Sequence, residues 1–360
     1  MRKRARKKKR TTRRAGTPRT PRRRKPEWVK LSNDDLLGLR LRDLKVTIAG
    51  SPLAERIQQV LKELAQRGIR FKPHFWVSSE WFSPDGVPGV AVPFYLTHPR
   101  LLRLERKMMV AAEGASHEEC MKILRHEVGH AIDHAYRLGR RASWRKRFGN
   151  PSRRYPETYI PKPTSKRYVQ HLGAWYAQSH PDEDFAETFA VWLTPRSAWR
   201  KRYMDWPALR KLEYVDELMG EIASQRPRNT VRAAVDPLSS IKTTLARFYA
   251  KKQNDWGVNY PDVYDRDLRR LFSDAPEDRR NQSAAAFIRR IAPEIRSHVS
   301  YWTGESEYTL DQVLSEIIDR CAALGLYVSG NLPQLKTNVA IVLTMHTMTY
   351  MHKEPRRVLL

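Results

Sequence analysis

Residues 123–134 read Ile-Leu-Arg-His-Glu-Val-Gly-His-Ala-Ile-Asp-His. Its apolar residues recur three and four positions apart, which predicts an amphipathic helix. Side chains four positions apart lie on one face of a helix, so His126 and His130 can offer two imidazole nitrogens to one metal ion. Glu127 lies one step round the same helix, close enough to take a proton from a water that the ion activates.

The bounds of this helix follow from capping chemistry. Ser116 followed three residues later by Glu119 fits a capping box, so the helix is predicted to begin near Ser116 and to run to about Leu138. Asp133 is a candidate for orienting a metal-bound histidine without contacting the metal itself. His134 shares the ligand face but lies about 12 Å along the axis from the first histidine, too far to bind the same ion.

A second helix is predicted in residues 179–193, Ser-His-Pro-Asp-Glu-Asp-Phe-Ala-Glu-Thr-Phe-Ala-Val-Trp-Leu. Pro181 suits the first helical position, the acids of the first turn suit the helix dipole, and Pro195 ends the helix. Glu187 falls among apolar residues in mid-helix, where a carboxylate is costly unless it is paired or bound to a metal. Glu187 is therefore predicted as the third metal ligand, with Asp184 in reserve; a salt bridge to an arginine is the alternative for Glu187.

Together these motifs resemble a known class of enzyme. His126-Glu127-x-x-His130, with a later helix reading Asp-Phe-Ala-Glu-Thr-Phe-Ala over residues 184–190, resembles a gluzincin-type zinc metallopeptidase. Residues 179–188 are also similar to a bacterial family of zinc-binding metallopeptidases. The resemblance implies a Zn²⁺ cofactor, a protein or peptide substrate, and a third ligand that is a glutamate on the second helix.

The resemblance extends over about residues 40–200 and implies a zincin-like catalytic domain. It also implies an edge strand, just before the first helix, that pairs with the extended substrate backbone. A metzincin is excluded by the spacing, because that class requires a glycine and a histidine where this chain has Asp133 and Tyr136.

The first part of the chain is predicted to be α+β, with a small mixed sheet. Strands are predicted at residues 44–50, 69–78, 89–95 and 101–106 from alternating or short apolar runs, and a helix at residues 51–68. Pro93 cannot donate to a strand ladder, so its strand is expected at an edge of the sheet. An exposed edge that proline merely protects is the alternative to a substrate-binding edge.

Residues 139–178 are rich in Arg, Tyr and Pro and carry no periodic pattern, so they are interpreted as one wall of the cleft. Tyr176 and His180 are candidates for donating a hydrogen bond to the oxyanion that develops during peptide hydrolysis. Tyr168 is a further candidate. A purely structural role is the alternative for each of them.

The rest of the chain is predicted to be helical. Prolines near residue 230 indicate a boundary, which divides the chain into a metallopeptidase domain at residues 26–230 and an all-α helical bundle at residues 231–360. The bundle carries no recognised motif and no internal repeat.

The chain is strongly basic, and about half of its excess charge lies in the first 25 residues. The net charge is +28, and residues 1–25 contain 15 Lys or Arg and no acid, which leaves +13 on the other 335 residues. The tail has no apolar pattern and is predicted to be disordered. It suits an arm that neutralises the phosphates of nucleic acid, although a solvated tail that only aids solubility is the alternative.

Cysteine content and hydropathy set further bounds. The chain has only Cys120 and Cys321, so no disulfide framework is expected, and a reducing, cytoplasmic compartment is predicted. No run approaches the roughly 20 apolar residues that span a bilayer, and no apolar segment follows the basic N-terminus as in a secretory signal.

The sequence therefore favours a zinc-dependent metallopeptidase in which His126, His130 and Glu187 hold the ion and Glu127 is the general base. Two alternatives remain open. One is a nucleic-acid-associated binding protein whose zincin fold is structural or degenerate; the other is a protease recruited to nucleic-acid-bound proteins.

Overall fold

A computed structural model describes residues 26–109, 112–156, 159, 162, 164–173, 175–256 and 264–353. The predicted disordered tail, residues 1–25, lies outside the described residues. Over the described residues the fold is α+β and mostly helical, with one small two-stranded sheet. None of the described helices combines the length and the apolar composition that crossing a bilayer requires.

Nine α-helices of the described residues precede residue 257, and four follow residue 263. The first set is α1 Asn33–Leu37, α2 Pro52–Gln66, α3 Pro99–Met109, α4 His117–Tyr136, α5 Ala142–Phe148, α6 Pro181–Leu193, α7 Trp199–Arg202, α8 Leu209–Ile222 and α9 Leu245–Trp256. The second set is α10 Asp265–Leu271, α11 Ala284–Thr303, α12 Glu307–Ala323 and α13 Leu332–Lys353.

The sheet is parallel rather than mixed. Strand β1 is His74–Ser78 and strand β2 is Gly89–Pro93, and the two pair in parallel with His74 opposite Gly89. The outer edge of β2 is partly covered, because Phe82 forms an antiparallel bridge to Ala91. The strand predicted at residues 89–95 is thus confirmed over its first five residues, and the one predicted from residue 69 begins five residues later.

Two predicted strands are wrong. Residues 41–44 form a 3-10 turn, and Lys45 then adopts a left-handed conformation (φ 48°), which stops the chain from continuing as a strand. Residues 101–106 lie inside α3, where Leu101, Leu104 and Glu105 are buried at helical rather than alternating spacing. A short apolar run does not distinguish a strand from a buried helix face.

The buried apolar residues form two main clusters. One runs from Trp28 to Tyr249 and includes most of α2, α4, α6 and α8; the other runs from Tyr264 to Leu343 and joins α10 to α13. Leu238, Leu245 and Tyr249 follow the predicted boundary near residue 230, yet they pack into the first cluster. The division into domains stays a prediction.

Helix α4 is fixed at the centre of the first cluster. It packs mainly on α6, and a buried two-pronged ion pair ties it to α2: the Arg125 Nε and Nη2 atoms donate to the two carboxylate oxygens of Glu63 at 2.8 and 2.9 Å. Such planar, two-point contacts fix orientation as well as distance. The histidine-bearing face of α4 is thereby presented to α6.

Candidate metal centre

The local structure of α4 brings its two histidines together. The Ser116 side chain accepts a hydrogen bond from the Glu119 N–H at 3.1 Å, which confirms the predicted start of the helix. The helix ends at Tyr136, two residues before the predicted end, because Arg137 adopts a left-handed conformation (φ 55°). Within the helix, the rings of His126 and His130 lie 4.8 Å apart between centroids.

Helix α6 begins and ends as the sequence predicts. Pro181 occupies its first turn, and His180 caps it, since the His180 Nδ1 atom accepts a hydrogen bond from the Asp182 N–H at 3.2 Å. Gly129 of α4 permits a close approach between the two helices: a Cβ atom at this position would lie 3.0 Å from the Ala186 Cα atom. Because there is no side chain at position 129, the carboxylates of α6 reach the imidazoles of α4.

Three donor atoms converge between the helices. The Glu183 Oε2 atom lies 2.9 Å from the His126 Nε2 atom and 3.2 Å from the His130 Nε2 atom, and the two nitrogens lie 3.1 Å apart. Donors of a tetrahedral zinc ion, each about 2.0–2.1 Å from the metal, would lie about 3.3–3.4 Å from one another. The observed separations are close to this value. Within the described residues, this is the group of donors that could hold a metal ion.

Glu187, the third ligand predicted from the sequence, lies on the far side of His126. Its Oε1 atom is 2.9 Å from the His126 Nδ1 atom, and its Oε2 atom accepts a hydrogen bond from the Leu172 N–H at 2.9 Å. Asp184, the reserve ligand, pairs instead with the Lys211 Nζ atom at 2.5 Å. Among the carboxylates of α6, it is Glu183 that reaches the Nε2 atoms of both histidines.

Sequence reasoning missed Glu183 because it is one of three acids in the first turn of α6, where the helix dipole alone explains acidic residues. A usable signal was present. Glu183 and Glu187 are four residues apart and so share one helix face, as His126 and His130 do. Two such pairs on facing helices can supply three donors and one supporting carboxylate.

Glu127 is buried beside the three donors. Its Oε2 atom has no hydrogen-bond partner among the described residues. Burial raises the pKa of the Glu127 carboxyl, and the nearby His126 and His130 act in the opposite direction. A buried carboxylate oxygen without a partner is free to take up a proton from a bound molecule.

The histidines of α4 and the glutamates of α6 shift one another's pKa values. Burial alone would lower the pKa of His126, but contacts with Glu183 and Glu187 outweigh it and raise that pKa well above its ordinary value. Burial likewise tends to raise the pKa of Glu183, but His130 and His126 hold it well below the usual range. Protons and a metal ion therefore compete for the same imidazole and carboxylate atoms.

The two other predicted catalytic residues lie close to the cluster in different ways. The Tyr176 ring is 5.5 Å from the His126 ring, and burial together with the charges of Glu183 and Glu127 raises the pKa of its hydroxyl. His180 uses both ring nitrogens, since its Nδ1 atom caps α6 and its Nε2 atom lies 2.7 Å from the Arg153 carbonyl oxygen. Only Tyr176 keeps a polar group that is not already engaged in the described structure.

Tyr155 is a neighbour of the cluster that the sequence did not single out. Its hydroxyl donates a hydrogen bond to the Glu183 Oε1 atom at 2.9 Å, and its ring stacks on that of His180 at 3.8 Å between centroids. The hydrogen bond holds one oxygen of Glu183 and leaves the other toward the histidines. Tyr155 belongs to the loop predicted to form a wall of the cleft, but nothing in the sequence distinguishes it from the other tyrosines there.

The residues one turn beyond the motif take structural roles. The Asp133 Oδ1 atom accepts a hydrogen bond from the Gly139 N–H at 2.8 Å, rather than one from a histidine of the cluster. Burial raises the pKa of Asp133 to about 6. The His134 Nδ1 atom lies 3.4 Å from the Gly86 N atom, and burial together with the charge of His130 lowers the pKa of His134 to about 4.

Comparison with known proteins identifies one similar family. Residues 117–203 match the model of a family described as "Putative zinc-binding metallo-peptidase". The matched region contains α4 and α6 with all three converging donors, and it agrees with the resemblance indicated by the sequence motifs. No curated protein and no solved structure matches the chain.

Proposed function

We propose that this protein is a zinc-dependent metallopeptidase with a zincin-like catalytic domain. The observation that carries the proposal is the convergence of the His126 Nε2, His130 Nε2 and Glu183 Oε2 atoms beside an unpartnered oxygen of Glu127. Two imidazoles and a carboxylate suit zinc among the common divalent ions. The family match over residues 117–203 supports the same cofactor and reaction class.

In this proposal Glu183, rather than Glu187, is the third ligand. Glu187 supports the site from outside by accepting the Nδ1 proton of His126, which leaves the Nε2 lone pair for the metal. Tyr155 fixes Glu183 in the same manner through its Oε1 atom. Bound zinc would supply Lewis acidity and would lower the pKa of a coordinated water toward about 7.

The reaction of the protein's own residues centres on Glu127. It accepts the proton of the attacking water and returns a proton to the amine that leaves. In this proposal the hydroxyl of Tyr176, whose ring lies 5.5 Å from that of His126, donates a hydrogen bond to the developing oxyanion. His180 acts as a positioning residue, because it caps α6 and supports the ring of Tyr155.

The test of the proposal is Glu127→Gln. The variant should lose hydrolysis of a casein or peptide substrate while it retains zinc, since the amide cannot act as a base and is not a ligand. A chelator should likewise abolish hydrolysis by the unaltered chain. Hydrolysis that survives in Glu127→Gln would refute the mechanism; loss of zinc from that variant would mean that Glu127 has a different role.

We also propose that the protein associates with nucleic acid, which would bring a peptidase to proteins bound there. The specific support is the net charge of +28, with 15 of the basic residues in residues 1–25. A binding protein with an inactive site is less favoured, because a structural metal site has no need of the free carboxylate of Glu127.

Cys120 and Cys321, both buried and free, support the predicted reducing, cytoplasmic compartment.

A further inference from the structure

A second group of charged side chains lies outside the metal-ligand cluster and joins three separate segments. Lys252 of α9 places its Nζ atom 2.9 Å from the Glu80 Oε1 atom and 3.0 Å from the Glu105 Oε1 atom. Tyr249 donates its hydroxyl proton to the Glu105 Oε2 atom at 2.8 Å. Both oxygens of Glu105 are therefore engaged, whereas Glu80 is partly exposed and uses only one oxygen in these contacts.

Glu113 adds a carboxylate that has no partner. It lies three residues before the cap of α4, its side chain is exposed, and it makes no hydrogen bond or ion pair with the described residues. Surrounding protein still desolvates this group and, together with the charge of Glu80, raises its pKa to about 7. The segment that carries Glu113 packs beside the segments of Glu80 and Tyr95, because a Cβ atom at Gly114 would lie 3.2 Å from the Trp81 Cζ2 atom and 3.3 Å from the Leu96 Cδ1 atom.

An independent feature points to a missing ligand at the same place. Tyr95 is fully buried, and its hydroxyl has no hydrogen-bond partner among the described residues. The Lys252 Nζ atom lies 5.6 Å from the centre of the Tyr95 ring, so Tyr95 adjoins the same group of charges. Burial and the charges of Glu80, Glu113 and Glu105 raise the pKa of its hydroxyl. A buried polar group without a partner costs free energy, and a ligand that supplies a donor would remove that cost.

The chemistry of the group selects a cation. The Lys252 ammonium contacts two carboxylates, those of Glu80 and Glu105. Among the described residues, the acceptors that remain without a partner are the Glu113 carboxylate, the second oxygen of Glu80 and the Tyr95 hydroxyl oxygen. A lysine ammonium or an arginine guanidinium carries several donors and a positive charge, and so can satisfy all three. A metal ion fits less well, because the donors that converge closely enough for an ion within the described residues are His126, His130 and Glu183.

We propose that Glu80, Glu113 and Tyr95 form a subsite for a Lys or Arg side chain of the substrate. The proposal rests on the proposed peptidase function and adds its substrate class. The subsite selects peptides that carry a basic residue at a fixed distance from the cleaved bond. Lys252 stays in place and holds Glu80 and Glu105 in position.

The first experiment is profiling of cleavage sites in a random peptide mixture by the full chain loaded with zinc. We expect Lys and Arg to be enriched at one position relative to the cleaved bond. For a peptide with Lys at the enriched position, Glu113→Gln should lower kcat/KM about tenfold. For the same peptide with norleucine at that position, Glu113→Gln should leave kcat/KM unchanged. Glu118→Gln is the matched control, since Glu118 is exposed and pairs with Lys122 on the surface of α4. Cleavage without enrichment of basic residues would overturn the subsite and leave the peptidase assignment intact.

The second experiment measures binding without turnover. Zinc-loaded Glu127→Gln should bind the Lys peptide about tenfold more tightly than the norleucine peptide, and adding Glu113→Gln should remove the difference. Equal binding of both peptides overturns the proposal. If the unaltered chain cleaves nothing but this preference is present, the peptidase function fails while the cation subsite stands.

Discussion

Two glutamates of α6, one turn apart, take unequal parts in the proposed centre. Glu183 contacts the Nε2 atoms of both histidines, whereas Glu187 contacts the Nδ1 atom of one. Glu183→Ala should therefore lower zinc affinity by more than about 100-fold, and Glu187→Ala by about 10–100-fold, the range typical for an outer partner of a ligand. Competition with a chromophoric chelator measures both. A larger loss of zinc affinity in Glu187→Ala than in Glu183→Ala would restore Glu187 as the ligand. Asp184→Asn is the control and should retain zinc, because Asp184 pairs with Lys211.

The hydroxyl of Tyr155 orients the carboxylate of Glu183. Tyr155→Phe keeps the ring that stacks on His180 and removes only the hydroxyl that donates to Glu183. Zinc affinity should fall by about tenfold, toward the lower end of the range for outer partners, because the carboxylate loses the contact that orients it. Zinc titration, with thermal unfolding of the metal-free protein as a check on folding, measures the effect. Unchanged affinity would mean that Glu183 is oriented by its helix alone.

The close contact of α4 with α6 depends on one missing side chain. Gly129→Ala would place a methyl group 3.0 Å from the Ala186 Cα atom and 3.1 Å from the Phe189 Cδ1 atom, so the helices must separate. We expect destabilisation of about 1–3 kcal/mol from this overpacking, together with weaker zinc binding as the donors move apart. Urea unfolding and zinc titration measure the two effects.

Gly220→Ala is the control for helix propensity. Gly220 lies in α8, and a Cβ atom there would meet nothing within 4 Å. Alanine should stabilise the protein at this position by about 0.5–1 kcal/mol. If Gly129→Ala stabilises the protein as much as Gly220→Ala does and leaves zinc affinity unchanged, then a methyl group fits between α4 and α6 and the prediction is wrong.

The C-terminal end of α4 should make stability depend on pH. Burial raises the pKa of Asp133 from 3.8 to about 6, so the folded protein holds this proton more tightly than the unfolded chain does. The stabilisation that protonated Asp133 gives the folded protein is therefore lost as pH rises from the unfolded pKa to the folded one, by about 2–3 kcal/mol between pH 4 and pH 7. In Asp133→Asn, whose amide oxygen can still accept from the Gly139 N–H, this loss should be absent. Parallel pH dependences of unfolding, measured for both metal-free proteins, would contradict the assignment.

The sequence predicted elements well where periodicity and capping agreed. The helices bearing His126 and Glu187 were both placed to within two residues, because each has a strong apolar face and a cap or proline at its start. Short apolar runs such as residues 101–106 were misread, since their few residues fit two periods. The choice between Glu183 and Glu187 was beyond sequence reasoning for another reason: it depends on how far α6 is shifted along α4, which only tertiary packing decides.

At the scale of the whole molecule, the positive charge is unevenly distributed. Residues 264–353 contain eleven Lys or Arg and eleven Asp or Glu, so the helices of the second cluster carry no net charge. The excess lies in residues 1–25 and in the part that contains the candidate metal centre. Polyanion binding is therefore expected to involve the tail and the first part, with the neutral helices free for another role.

Replacing residues 1–25 by a Gly/Ser segment of equal length tests this distribution, because it removes 15 positive charges and keeps the length. The logarithm of DNA affinity falls with the logarithm of salt concentration by about 0.9 for each phosphate contacted, so loss of the tail should flatten this slope by several units. Fluorescence anisotropy with duplex DNA, measured from about 50 to 200 mM salt, gives both affinity and slope. Hydrolysis of a short neutral peptide should not change, since the donors between α4 and α6 remain. An unaltered slope would show that the phosphates are bound by the folded part, and salt-independent binding would exclude the electrostatic origin altogether.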